Sequence, residues 1–112
     1  MRTFRKERNM EDIKCLMRHV KEEVADAKHY IKDALAVKAT NPETADLYYR
    51  LSGEELTHMN ALHKDVVRLI DDYRREKGDA PEGMMALYKY LHEEAMEEVE
   101  RVSVLREMYK KM

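Results

Sequence analysis

The chain has few residues that break or cross-link a polypeptide: its 112 residues include three Gly, two Pro and one Cys. An all-β domain carries a turn signal roughly every 8–12 residues, so the scarcity of Gly and Pro argues against a sandwich or barrel. The single cysteine, Cys15, has no partner for an internal disulfide. This use of cysteine is typical of the reducing cytoplasm.

An excess of charge of one sign and long apolar runs are also missing. The 21 Lys and Arg nearly balance the 23 Asp and Glu, and the two signs are interspersed, whereas nucleic-acid binding requires a basic stripe. No apolar run approaches the roughly 18 residues of a membrane span, and no apolar signal segment is seen. We expect a cytoplasmic protein that has neither nucleic acid nor a membrane as its partner.

The motifs of hydrolases and nucleotide-binding enzymes are not found either. Ser52 and Ser103 do not belong to any Ser-His-Asp arrangement that we can identify. The chain also has no glycine-rich loop of the kind that cradles a phosphate. Neither class of enzyme is therefore expected.

What the chain does contain is charged and apolar residues in helical order, with 39% charged and 44% hydrophobic residues. Asn41 and Pro42 read as an N-cap followed by a first helical residue, and Gly78–Gly83 reads as a loop. These signals predict an all-α fold in one domain over residues 1–112. The predicted helices cover about 9–39, 42–77 and 83–111.

Each predicted helix carries one apolar face at the 3.6-residue spacing of an α-helix. The residues on these faces are Ile13, Leu16, Met17, Val20, Val24, Ala27, Ile31, Ala34 and Leu35; Tyr48, Leu51, Met59, Leu62, Val66, Leu69, Ile70 and Tyr73; and Met84, Leu87, Tyr88, Leu91, Ala95, Val99, Val102, Leu105 and Tyr109. Helices of this size extend ~45 Å and are too thin to close a deep core. We therefore expect a homo-oligomer, at least a dimer.

A carboxylate lies where the second helix should be apolar. Glu55 projects close to the centre of the apolar face, and an unpaired carboxylate there costs several kcal/mol. His58 follows on the same side of the helix, which makes an E-x-x-H pair. A carboxylate and an imidazole together suit iron, manganese or zinc.

The first helix offers a second carboxylate, because Glu23 borders its apolar face. The turn near residue 40 lies about midway between Glu23 and Glu55, so an antiparallel hairpin brings the two to the same height. Two carboxylates at that height require a cation or a shared proton. Tyr30 reaches the level of Tyr48 by the same argument, and we expect its hydroxyl to orient a ligand carboxylate through a hydrogen bond.

A reading without metal is also open. Glu55 would then be paired with Tyr30, Tyr48, Arg50 or a basic residue of a partner chain, since buried ion networks also fix helix register. His63 and His92, at the edges of the second and third apolar faces, read as packed or surface residues.

Glu23 and Tyr30 on one helix, followed by Glu55-x-x-His58 on the next, resemble the first half of ferritin-like di-iron proteins. The resemblance covers roughly residues 10–77 and is strongest to rubrerythrins and short encapsulated ferritins. It implies that Glu23, Glu55 and His58 are metal ligands, that the cofactor is iron, and that two chains complete a four-helix bundle with a di-iron site. It also implies ferroxidase-type oxidation of Fe(II) by oxygen or peroxide.

The third helix departs from that pattern, because it has no second E-x-x-H pair and no fourth helix follows it. The alternative hypothesis is therefore a metal-free helical scaffold or interaction module, similar to accessory proteins encoded in phages and bacterial genomes. In this view Leu105, Met108 and Tyr109 are available to a partner.

Overall fold

The computed structural model describes the backbone of residues 2–112 and the side chains of residues 8–112. This part of the chain forms three helices, α1 (Arg2–Val37), α2 (Pro42–Lys77) and α3 (Glu82–Lys111), and no strand, which confirms the all-α fold. The helices lie side by side in a rod of 59 × 19 × 16 Å. No helix in the described part of the chain has a stretch that is long and apolar enough to cross a membrane.

The first helix differs from the prediction at both ends. It begins at Arg2 rather than near residue 9, because the intervening sequence contains no Gly or Pro to interrupt it. It ends at Val37 rather than at residue 39, because Pro42 has no backbone N–H to continue the helical hydrogen bonds. The N–H groups of Thr40 and Asn41 both bond to the carbonyl of Val37, at 3.1 and 2.7 Å, where the chain turns over residues 38–40.

Local capping sets the start and the end of α2. The side chain of Asn41 accepts a hydrogen bond from the backbone N–H of Thr44 at 3.3 Å, and Pro42 follows as the first helical residue, which confirms the predicted cap. At the other end Gly78 has a φ of 83° and donates its N–H to the carbonyl of Arg74. This positive φ is the reason that a glycine ends the helix.

α1 lies between the other two helices in contact with both, whereas α2 and α3 meet mainly through long side chains. Tyr30 pairs with Tyr48 and Glu23 with His58, so α1 and α2 run antiparallel. Lys28 pairs with Glu98 and, further along, Lys38 bonds to the Tyr109 carbonyl, so α3 runs parallel to α1. The connection order is thus up, down, up.

The core is a narrow line of side chains along the rod. Buried residues of α1 alternate at spacings of four and three, as in coiled coils. The buried residues are Ile13, Met17, Val20, Val24, Ala27, Ile31 and Ala34 on α1, Ala45, Ser52, Met59, Val66, Ile70 and Tyr73 on α2, and Met84, Ala95, Val102 and Tyr109 on α3.

Two assignments to the apolar faces need correction. The most buried line of α2 includes Ala45 and Ser52, which the predicted face omits, while Tyr48 and Leu51 are only half-buried. Leu87 is 38% exposed, because it lies at the edge of the inner face of α3.

Gly53 allows α3 to approach α2 at one point. A Cβ atom at this position would lie only 3.0 Å from Nη2 of Arg106. The guanidinium of Arg106 lies over the Tyr49 ring and donates to the Tyr49 carbonyl at 2.7 Å. The Arg106 side chain therefore explains why α2 has a glycine at this position rather than a residue with a Cβ atom.

Ser52 joins α1 to α2 through a buried hydrogen bond, because its hydroxyl donates to the carbonyl of Ala27 at 2.9 Å. Ser52→Ala is expected to lower the free energy of unfolding by about 1 kcal/mol, the net value of such a bond. Urea unfolding measures the change, and Ser103→Ala, at an exposed position of α3, is the matched control. Equal midpoints for the two variants would contradict the prediction.

Candidate metal centre

Glu23 of α1 and the pair Glu55 and His58 of α2 lie at one height in the α1–α2 hairpin. Nδ1 of His58 is 3.5 Å from Oε2 of Glu23 and 3.8 Å from Oε2 of Glu55. One potential ligand atom from each residue lies within 4.8 Å of the other two. The structure therefore brings together the three residues that the sequence singles out.

The register between α1 and α2 determines how close these three side chains lie to one another. Glu55 and His58 are one helical turn apart and share a side of α2. The hydrogen bond from Ser52 to the carbonyl of Ala27 fixes α1 against α2 about one turn away from both carboxylates. A slip of one residue between the helices would rotate Glu23 away from the pair.

Burial differs among the three side chains. The Glu55 side chain is 18% exposed and that of Glu23 is 25% exposed, whereas the His58 side chain is 58% exposed. Oε2 of Glu23 is buried and, within the described part of the chain, has no hydrogen-bond partner. A buried carboxylate oxygen without a hydrogen-bond partner is costly, and its nearest charged neighbour, if protonated, is His58 at 3.5 Å.

The distances between these groups leave room for an ion. The separations from Nδ1 of His58 to the two carboxylates exceed the 2.7–3.2 Å of a normal N–H···O hydrogen bond. Ligand atoms bound at about 2.0–2.2 Å to one ion stand about 3–4 Å apart. Three ligand atoms within 4.8 Å of one another are therefore close enough to share one ion.

The group lies on the side of the hairpin that faces away from α3. Gly53 is next to Arg106 of α3, and Glu55, two residues further on, is rotated by about 200° from it. On α1, Lys28 pairs with Glu98 of α3. Tyr30, one heptad after Glu23 and on the same side of α1, is rotated by about 200° from Lys28. The potential ligands among the described residues thus come from α1 and α2.

The acidic residues that flank the apolar face of α3 have other partners. Glu98 pairs with Lys28 and Arg101, and the cations beside it lower the pKa of its carboxyl group, with the hydrogen bond from Lys28 as the largest cause. Glu94 accepts a hydrogen bond from the hydroxyl of Tyr90 at 2.9 Å. Neither belongs to the candidate metal group.

The expected role of Tyr30 stays a prediction. Its ring stacks on Tyr48 with centroids 6.3 Å apart, and among residues 8–112 of one chain no carboxylate accepts a hydrogen bond from its hydroxyl. Arg50, one of the partners considered for Glu55 in the absence of a metal, lies 3.9 Å from Glu54 instead.

Sequence reasoning missed the contribution of Ser52 and the contact between His63 and His92, whose rings stack with centroids 4.8 Å apart. Ser52 could have been found from the seven-residue spacing of the buried line of α2, on which it lies between Ala45 and Met59. No local signal pairs His63 with His92, because that contact depends on how α3 lies against α2.

Comparisons with known proteins add no relative: no family model, no curated protein and no solved structure matches this chain.

Proposed function

We propose that this protein binds a transition-metal ion, iron in particular, through Glu23, Glu55 and His58. Two carboxylates and one imidazole form the mixed oxygen and nitrogen ligand set that suits iron, manganese or zinc. The observation that supports the proposal most directly is the buried Oε2 of Glu23, which has no hydrogen-bond partner among the described residues and lies beside two further ligand atoms. A bound cation would compensate that oxygen.

A second copy of the chain is part of the proposal. Three protein ligands leave coordination positions open, and the face around them carries half-buried Tyr30, Tyr48 and Leu62. A two-fold axis over this face would pack two hairpins into a four-helix bundle and bring two sets of ligands together. The result is a ferritin-like homodimer with a di-metal site.

Bound iron would supply redox chemistry, and the activity we propose is ferroxidase-type oxidation of Fe(II) by oxygen or peroxide. The half-buried carboxylates would hold the ion, while the exposed His58 leaves a path from solvent to the site. We place this activity in the cytoplasm on the basis of the unpaired Cys15.

Elemental analysis of the freshly purified protein, combined with its mass in solution, tests this function. We expect iron at about one ion per chain and the mass of a dimer or larger oligomer. Added Fe(II) should be oxidised faster than in buffer alone. Protein that carries no metal and neither binds nor oxidises Fe(II) would overturn the proposal.

One observation favours the metal-free scaffold as a second candidate. Val104 and Met108 are 60% and 50% exposed and lie one turn apart on α3, where they offer an apolar contact to a partner. Leu105 and Tyr109 do not share this role, because Leu105 is half-buried and Tyr109 is buried. A scaffold would show no change in thermal unfolding when Fe(II) is added, whereas a metal protein would be stabilised.

A further inference from the structure

A second cluster of titratable side chains lies where α2 meets α3. The rings of His63 and His92 stack with centroids 4.8 Å apart and planes 26° apart. Tyr88, one turn before His92, places its hydroxyl 3.0 Å from Nε2 of His63. Nδ1 of His92 is buried and, in the described part of the chain, has no hydrogen-bond partner.

The geometry of this cluster is suited to protonation rather than to coordination of a metal ion. The lone pair of an imidazole nitrogen lies in the plane of its ring. In two nearly parallel stacked rings these lone pairs lie in separate planes and do not point to one ion. Neutral rings stack favourably, whereas two protonated rings in this arrangement would repel each other.

The surroundings of the cluster favour the neutral form of His63. Burial lowers the pKa of His63 below its ordinary value of 6.5, and the charge of a protonated His92 lowers it further. Burial raises the pKa of Tyr88, so the phenol keeps its proton near neutral pH. The Tyr88 hydroxyl can therefore donate to Nε2 of a neutral His63.

Other charged groups near the cluster are exposed to solvent. Lys14 of α1 shares a small cavity with Tyr88, and Lys64 follows His63 on α2. Glu93 and Glu97 of α3 line a shallow groove together with His92. All four are exposed, and water screens their effect on the stacked rings.

Among the described residues, the cluster lies at one end of the contact between α2 and α3. At the other end Tyr49 stacks on Tyr109 and its carbonyl accepts a hydrogen bond from Arg106, and this end contains no histidine. We propose that His63, Tyr88 and His92 form a pH-sensitive latch, which holds the N-terminal half of α3 against α2 and releases it when His63 takes up a proton.

The direction in which pH changes the stability of the latch follows from the difference between the folded and unfolded pKa values of His63. In the unfolded chain His63 titrates near 6.5, and in the folded chain its pKa is lower, so the folded state binds fewer protons over this interval. The stabilisation by the latch is complete above about pH 6.5 and is lost as the pH falls through that value toward the lower folded pKa.

Hydrogen–deuterium exchange of the full chain in chelator-containing buffer, at about pH 8 and about pH 5.5, tests the latch. After correction for intrinsic rates, we expect exchange in the N-terminal half of α3 to rise several-fold at the lower pH. Exchange in the C-terminal half and in the α1–α2 hairpin should change little. A uniform rise along the chain, or no rise in α3, would overturn the proposal.

Variants separate the latch from general acid sensitivity. A His63→Phe, His92→Phe double variant keeps two stacked rings that cannot be protonated, so its α3 should lose the pH dependence. His63→Gln is the second variant should the first fail to fold, and it should show the same loss. His19→Gln is the control, because His19 is exposed beside Glu22. Retention of the wild-type pH dependence in the double variant would refute the latch.

Discussion

Replacing Glu55 with alanine is expected to abolish saturable binding of Fe(II) and to leave the three helices folded. The change removes one of three ligand atoms that lie within 4.8 Å of one another, and two remaining ligands from one chain cannot hold the ion. Helix stability should change little, because the change also relieves repulsion between Glu55 and Glu23. Calorimetric titration with Fe(II) under nitrogen measures binding, and circular dichroism measures helix content.

Two companion variants make this result specific to the site. Glu54→Ala removes a neighbouring carboxylate whose side chain is 54% exposed and pairs with Arg50, so it should bind Fe(II) like the wild type. Glu55→Gln keeps the shape of the side chain but removes its charge, and it should be at least as stable as the wild type in chelator. Wild-type affinity in Glu55→Ala would show that the ion binds elsewhere.

The α1–α2 hairpin could be predicted from the sequence because one turn determines it. The cap at Asn41 and Pro42 sets where the chain reverses, and a constant rise per residue then places residues equally far from the turn at equal heights. This argument brings Glu23 opposite Glu55 and Tyr30 opposite Tyr48, as observed. The heights of residues along the hairpin were therefore predictable, because they depend only on the turn and the rise per residue.

The position of α3 could not be obtained in the same way. The loop near Gly78 limits how far α3 can start from α2, but it does not determine which helix α3 packs against or how α3 is rotated. In the structure α3 packs mainly on α1, which buries Tyr109 and leaves Leu87 exposed. The contact between His63 and His92 depends on the same rotation, so both were assigned only to the edges of their faces.

Tyr109 connects the C-terminal end of α3 to α2 and to the turn between α1 and α2, and its replacement has the second large expected effect. The ring is 4% exposed, stacks on Tyr49 with centroids 4.7 Å apart, and has the Lys38 ammonium 3.8 Å from its centroid. The hydroxyl donates a hydrogen bond to Asp46. Burial, followed by this hydrogen bond, raises the pKa of Tyr109 to about 12, so the donor is retained throughout the physiological range.

Tyr109→Ala is expected to lower the free energy of unfolding by about 3–5 kcal/mol, the usual cost of truncating a buried aromatic residue. Tyr109→Phe keeps the ring and loses only the bond to Asp46, which corresponds to about 1 kcal/mol. Urea unfolding at neutral pH, with comparison of the slopes, measures both changes. Because the candidate ligands lie on α1 and α2, Fe(II) binding by Tyr109→Phe should remain at the wild-type level. A loss below about 1 kcal/mol in Tyr109→Ala would show that α3 is held by its other contacts and that Tyr109 is not their anchor.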